Sequence, residues 1–440
     1  MRNKEFNSTS RLTNDLENLR SWQSTQLNSL KLFPMSKKRN PKQKEAVRSY
    51  FDALAESRAH LIATYVNEVY SAVTNNFSES VRIEDIVYRI AEQFPGLAPT
   101  RSEIFQDDLL FLSDKEGHEL SQGLILSELL SIPVIGEHLM SAMRRPKKES
   151  FSLLELFQQQ NYLEFETVTI TKKNNTAYLH ISNQSSLNAE DDKLNSDLEC
   201  AADVVLLDPR VEIAVIRGDV MQHSKYKGKR VFCSGVNLTK LYRGELPYLF
   251  YVIRELGLIS KIYRGLLFDE NTMKRAPNYA IEKPWISVVD SHAIGGGFQM
   301  LLVSDYVIAE SGSFLSIPAR REGFIPGVAN LRLPRYVGQR LANHLIYKNY
   351  QIVADSDEGK KIVDEVVIAE NIDDSLSRVV NEMTEFGIAG FISNRKAFRL
   401  STEPLPVFQQ YMANFCREQV KCMFGQDIVN NLEKFWIKRN

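Results

Sequence analysis

Two glycine turns carry the residues best suited to chemistry. The first lies in Val231-Phe232-Cys233-Ser234-Gly235-Val236-Asn237-Leu238, a short apolar run entering a glycine. The second is Gly295-Gly296-Gly297, which follows the β-rich run Trp285 to Val289 and precedes an apolar helical pattern at Phe298, Met300, Leu301, Leu302 and Val303. Three successive glycines are conformationally costly, so such a turn implies a close approach of something to the backbone. N–H groups at a strand-to-helix turn are unsatisfied and can hold an oxyanion or a phosphate. An oxyanion hole needs two such donors converging from different segments. The alternative reading of each turn is a tight corner that only lets helix and strand pack.

These turns need a scaffold. Strand signals recur at Glu166–Lys172, Ala177–Ser182, Val211–Arg217, Val231–Cys233, Trp285–Val289 and Asp305–Ala309. Lys173-Asn174-Asn175 between the first two predicts a hairpin. Asn188-Ala189-Glu190 is read as opening a helix, with carboxylates where the helix dipole favours them. Strands alternating with helices predict an α/β fold.

Before this region the period is helical. Val47, Phe51, Leu54, Leu61, Tyr65, Val69 and Val73 mark one long helix within Lys42–Val73. A second begins near Ser80 and stops before Pro95-Gly96, and others are predicted at Glu119–Leu130 and Gly136–Met143. The first forty residues read as a helical or loosely ordered arm. Arg144-Arg145-Pro146-Lys147-Lys148 reads as a solvated connection. The expected division is a helical region over 1–155, a core over 156–350 and a helical C-terminal region over 351–440.

The 440 residues carry a formal net charge of −1, which gives no nucleic-acid signature. Cys200, Cys233, Cys416 and Cys422 have no framework spacing, as expected of thiols in a reducing cytosol. No signal-peptide pattern and no apolar run of membrane-spanning length is seen, so a cytoplasmic location is expected. The seven histidines show no metal-ligand spacing. No dinucleotide fingerprint or P-loop occurs, so no metal, flavin, nicotinamide or nucleotide cofactor is expected.

Phe-Cys-Ser-Gly-Val-Asn-Leu followed by His-Ala-Ile-Gly-Gly-Gly-Phe-Gln, with the later Arg-Arg-Glu-Gly-Phe-Ile-Pro-Gly, resembles the crotonase (enoyl-CoA hydratase/isomerase) superfamily. The resemblance implies a ββα spiral core, a CoA thioester substrate and an enolate-type intermediate. It implies that the N–H groups of Val236 and Gly296 hold the thioester oxygen, and that Gly295 and Asn237 contact the substrate. C-terminal helices in that family make oligomer contacts, so a homo-oligomer (trimer or hexamer) is expected.

Within the superfamily the chain resembles the cofactor-free oxygenases of aryl-acetyl-CoA thioesters. The carrying segments are Asn-Ala-Glu-Asp-Asp at 188–192, Gln299, Pro-Ala-Arg-Arg-Glu-Gly at 318–323 and Ala-Asn-Leu-Arg-Leu-Pro-Arg at 329–335. That implies O2 as co-substrate, with Glu190 and Arg254 at the ring hydroxyls. Glu190 as a helix-start carboxylate and Arg254 as an exposed helix arginine are the bland alternatives. Family hydratases carry glutamates where Gln299 and Ala319 stand. An amide and a methyl group cannot act as an acid–base pair, so hydration by that mechanism is disfavoured. Glu322 lies three residues on and is not counted as a replacement. Ile294, Phe298, Phe324 and Ile325 could admit O2 or could be ordinary core. Lys225, Lys227, Lys229 and Arg230 could meet CoA phosphates or simply be solvated. A thioesterase or isomerase using the same turns, and a silent CoA-binding protein, are the rival readings.

Overall fold

The computed structural model describes residues 10–268 and 280–437. The first nine residues of the expected N-terminal arm lie outside them. Two compact units are present. One combines the described residues up to Met143 with Leu238–Ile253 and the segment from Pro406 onward; the other combines Arg144–Asn237 and Arg254–Leu405.

The first unit is helical. The arm forms a helix, Ser10–Leu30, with Leu12, Leu16 and Leu19 buried at helical spacing. The long helix runs from Pro41 to Val73. Asn40 caps it in a reciprocal box with Gln43, and proline at the first position suits the helix start. Helices Ile83–Gln93, His118–Ser131 and Pro133–Met143 follow as expected. The helix Arg101–Asp108, capped by Thr100, was not expected. Its weak apolar pattern explains the omission. The C-terminal helix Leu405–Met423 packs here because Gly123 has no side chain against Val420 and the Cys416 carbonyl. Gln409 donates to the Leu130 carbonyl at 2.9 Å, and the Tyr248 hydroxyl donates to the Cys416 carbonyl at 2.9 Å.

The second unit holds the sheets. Its strands are β1 (Tyr162–Glu164), β2 (Val168–Lys173), β3 (Thr176–Ile181), β4 (Ile213–Gly218), β5 (Cys233–Ser234), β6 (Trp285–Val289), β7 (His292–Ile294), β8 (Tyr306–Glu310), β9 (Phe314–Ser316), β10 (Gln351–Val353) and β11 (Glu365–Val367). One sheet has the order β1-β2-β3-β4-β6-β8-β11, and the other β10-β9-β7-β5. From β3 to β11 the larger sheet is parallel. A parallel sheet is buried on both faces, which the alternation of β4 shows. Ala214 and Ile216 enter the larger core, while Ile213 and Val215 pack with Ile286, Val288 and the helix Ile372–Thr384. The β2–β3 turn places Asn174 at φ 51°, which asparagine tolerates.

Three expectations need correction. Glu190 does not open a helix. The helix begins at Asp192, capped by Asp191, whose carboxylate accepts from Leu194 N–H at 3.0 Å. The glycine turn is entered from an additional short strand, β7, and its helix already begins at Gly296. The basic run after Met143 is not simply solvated. Arg144 is buried and donates to the Gly265 carbonyl at 3.0 Å, while Lys147 Nζ reaches Ser196 Oγ at 2.8 Å.

Candidate active site

The smaller sheet aligns the two glycine turns. β5 and β7 are parallel, with Cys233 opposite Ala293 and Ser234 opposite Ile294. Both turns therefore leave the sheet on the same side. Gly295 sits at φ 54°, ψ −112°, a backbone shape that favours glycine, and its N–H donates to the Ser316 carbonyl at 2.8 Å. A Cβ there would lie 3.2 Å from Gly235 Cα and 4.0 Å from Val236 N. The two backbones are thus in near contact.

Glu190 fixes the direction of the first turn. Its N–H donates to the Gly235 carbonyl at 2.7 Å, and its carbonyl accepts from Asn237 N–H at 2.8 Å. That parallel bridge leaves Val236 N–H pointing away from Glu190, because successive residues of an extended chain face opposite sides. Gly296 opens the helix Gly296–Leu301, where the first N–H groups have no intrahelical acceptor. The turns that carry Val236 and Gly296 thus lie side by side at one end of the smaller sheet.

Side chains lock the two arms. His292 Nε2 lies 3.0 Å from Ser234 Oγ, and Ser234 Oγ donates to the Leu187 carbonyl at 2.7 Å. The serine proton is committed to that carbonyl, so the imidazole donates and Ser234 is not an activated nucleophile. Burial, helped by nearby Lys225, lowers the His292 pKa to about 4, which keeps the ring neutral near pH 7. Cys233 is buried beside Gly297, and burial pushes its thiol pKa well up, so it is no thiolate.

Arg254 is the hub. Nε and Nη2 donate to Glu190 Oε1 at 2.9 and 2.8 Å, and Nη2 also to the Gly296 carbonyl at 2.8 Å. Nη1 donates to Glu255 Oε1 at 2.7 Å and to Gln299 Oε1 at 3.2 Å. All five N–H donors of the guanidinium are met by protein groups. Burial opposes its charge, but Glu190 and Glu255 outweigh burial and hold its pKa above the usual value. Arg254 ends a helix and meets a π-helical turn, Glu255–Ile259, of the kind often found at functional sites.

The ion pairs continue outward. Glu255 lies 3.5 Å from Arg332, which bonds Glu403 at 3.0 Å, and Glu403 also holds Arg264 at 2.8 Å and Arg335 at 3.0 Å. Sequence reading missed Glu255, Arg332 and Glu403. Their spacing carries no signal, since residues 255, 332 and 403 meet only through the fold.

Gln299 is buried with its Oε1 on Arg254, and Ala319 is buried as well. Gly327 closes over them: a Cβ there would coincide with Gln299 and Glu255. The segment from Ser316 to Gly327 therefore starts on Gly295 N–H and ends in close approach to Gln299 and Glu255. Glu322 lies within it, on the short helix Ala319–Glu322. Burial raises its carboxyl pKa to about 7, against a smaller lowering by Arg321. Phe298 is fully buried in the main core. Lys225, Lys227 and Lys229 are exposed, and Arg230 reaches the Gly218 carbonyl at 3.2 Å. Among the described residues no group of three or more His, Cys, Asp or Glu side chains could hold a metal ion.

The candidate site is thus a parallel-sheet scaffold that aligns two glycine turns, with the Arg254 hub and the Gln299 amide joined to it. The family model for enoyl-CoA hydratase/isomerase matches residues 171–416, and the chain belongs to that family. It is 37% identical over 403 residues to (3,5-dihydroxyphenyl)acetyl-CoA 1,2-dioxygenase of Amycolatopsis orientalis, covering 91% of each chain. It is 26% identical to crotonyl-CoA hydratase of Syntrophomonas wolfei, over 51% of this chain and 78% of that protein. The fold matches the crystal structure of an enoyl-CoA hydratase from Mycobacterium avium subsp. paratuberculosis with a TM-score of 0.50 at 17% identity, over 62% of this chain and 97% of that one.

Proposed function

We propose that the chain is a cofactor-independent dioxygenase converting 3,5-dihydroxyphenylacetyl-CoA and O2 to 3,5-dihydroxyphenylglyoxylate and free CoA. The observation that carries this reading is the extent of the likeness to the Amycolatopsis dioxygenase. It spans 91% of both chains and so reaches into the helical unit, whereas the likeness to the hydratase covers about half of this chain. Gln299 and Ala319, in place of two carboxylates, support it by removing the acid–base pair that hydration needs.

In this reading Val236 and Gly296 N–H hold the thioester oxygen, and the charge that develops on benzylic deprotonation settles there. Glu190, Gly295 and Asn237 line the acyl group. Arg254, committed to Glu190 and Gln299, holds their orientation. The resulting carbanion passes an electron to O2, and recombination places a peroxide on the α-carbon. The peroxide attacks the thioester carbonyl and expels the CoA thiolate, which takes up a proton; O–O cleavage with loss of the remaining α-hydrogen as a proton then leaves the α-keto acid. One substrate and one O2 account for every atom of the two products. This places the protein in dihydroxyphenylglycine formation for peptide antibiotics, in the cytoplasm.

The same reading makes the protein a homo-oligomer through its C-terminal helices. Phe386, Phe398 and Leu400 support it, being 90%, 68% and 66% exposed on and beside the helix Ile388–Thr402, a costly apolar display for a lone chain. Light scattering on the protein and on Phe398→Glu tests this. For membranes, no single helix among the described residues is long and apolar enough to cross one.

The decisive experiment is oxygen uptake by chelator-treated protein given 3,5-dihydroxyphenylacetyl-CoA, with CoA release followed in parallel. Equal O2 uptake and CoA release are expected. CoA release without O2 uptake would instead identify a thioesterase. Binding with neither signal would leave a silent CoA-binding protein.

A further inference from the structure

The helical unit contains a cavity of about 430 Å³, within the range of small-molecule sites. Its walls are apolar and aromatic, among them Leu27, Phe33, Tyr50, Phe51 and Leu54. Arg58 also lines it, although its side chain is only 3% exposed. Arg58 Nε donates to the Gly96 carbonyl at 3.0 Å and Nη1 to Ser121 Oγ at 3.0 Å. Among the described residues Nη2 makes no hydrogen bond, and no carboxylate lies within 4.0 Å of the guanidinium. Glu103, the carboxylate that acts on Arg58 through space, spends Oε2 on Thr100 N–H and Oγ at 2.7 and 2.8 Å. Glu116 is taken by Arg39 at 2.5 Å.

A buried cation without an anionic partner is expensive. Burial lowers the Arg58 pKa to about 10, and it remains charged at neutral pH. His118, also on the cavity wall, has a buried Nδ1 without a hydrogen-bond partner among the described residues. The cavity thus has one buried cation with no carboxylate in contact, an exposed lysine, Lys31, on its wall, one idle ring nitrogen and several aromatic side chains. Arg39 balances Glu116 and Arg58 exceeds what Glu103 neutralises, so the buried part of the site suits one negative charge, with Lys31 exposed to solvent.

We propose that this cavity is a second ligand site, which takes a small aromatic monocarboxylate with its carboxylate on Arg58 and its ring between Tyr50, Phe51 and Leu54. It is made wholly of residues 23–118 and shares none with the active site. The inference therefore stands apart from the dioxygenase reading.

The test uses the full chain with phenylacetate as probe and benzyl alcohol as its neutral counterpart, by calorimetry and thermal shift. Saturable binding of phenylacetate is expected, with benzyl alcohol at least tenfold weaker. Arg58→Gln should weaken phenylacetate tenfold or more. Leu27→Trp, a substitution at a 40% exposed rim position, should block the cavity without touching the core, and it decides the matter if Arg58→Gln fails to fold. Equal binding of the alcohol would overturn the proposal. So would unchanged phenylacetate binding in Leu27→Trp, or no binding up to roughly 10 mM, the weak end for so small a ligand.

Discussion

Arg254 sets Nε and Nη2 at 2.9 and 2.8 Å from one oxygen of Glu190, and the same Glu190 is bonded through its backbone to Gly235 and Asn237. The hub thus fixes the carboxylate and, through it, the turn that carries Val236. Arg254→Met would leave Glu190 buried without its cation and Glu255 with only the longer contact to Arg332 at 3.5 Å. A loss of about 3–5 kcal/mol in stability is expected, as for other broken buried pairs. Urea unfolding measures it. Arg254→Lys should recover little, because one ammonium cannot supply five planar donors.

Gly296 has no room for a side chain. A Cβ there would coincide with the Glu190 carboxylate. Gly296→Ala should displace the carboxylate or the turn and lower turnover about a hundredfold, the scale of one lost oxyanion donor. KM should change far less than kcat if the contact matters chiefly in the transition state.

Gln299→Glu tests the chemistry of the missing acid pair. A carboxylate at 299 would share Arg254 with Glu255, an ion-paired anion that holds no proton to deliver, and position 319 would still offer only a methyl group. Hydration of crotonyl-CoA should stay at background. Turnover at the level of family hydratases would refute the emphasis on position 319.

Glu403 governs acid stability. Burial tends to raise its pKa, but Arg332, Arg264 and Arg335 outweigh burial and bring it to about 2, from 4.5 in the unfolded chain. A depressed carboxyl pKa stabilises the fold fully above 4.5, and that share is lost as pH falls from 4.5 toward 2. Glu403→Gln should flatten stability across that window. At pH 7 it should cost about 3–5 kcal/mol, since the carboxylate shared by three arginines is lost. Denaturant titrations from pH 2 to 7 on both proteins give the comparison.

Glu322 has the opposite sign. Its pKa near 7 in the fold exceeds the unfolded 4.5, so ionising it opposes folding. Its effect is nil below 4.5, grows between 4.5 and 7 and is complete above 7. Glu322→Gln should therefore gain stability at pH 8 relative to pH 4.5, by about 1–2 kcal/mol after discounting its partial exposure. A pH–rate profile of kcat/KM for both proteins adds a second readout. An inflection near 7 that vanishes in Glu322→Gln would make this carboxyl a participant in proton transfer.

Much of the fold was legible because local patterns repeat. Helical spacing marked Pro41–Val73, and two-residue alternation marked β2 and β3 with their turn. The helix Arg101–Asp108 was not legible, since half its residues are charged and only Ile104 and Asp107 are buried. The short strand β7 was absorbed into the glycine run, because three residues carry too little periodicity.

The sequence alone determined the two glycine turns, the amide at 299 and the methyl group at 319, because residue type there limits what chemistry is possible. The tertiary structure decided which groups meet. Glu190 reads like a helix start until its backbone is seen paired with Gly235 and Asn237. Arg254 could be an exposed helix arginine by sequence, until five hydrogen bonds to Glu190, Glu255, Gly296 and Gln299 are seen to surround it. Glu403 lies 149 positions beyond Arg254 and still closes the same chain of charges. Spacing along the chain cannot encode such meetings, since ion pairs have no period and form only after burial removes the competing water.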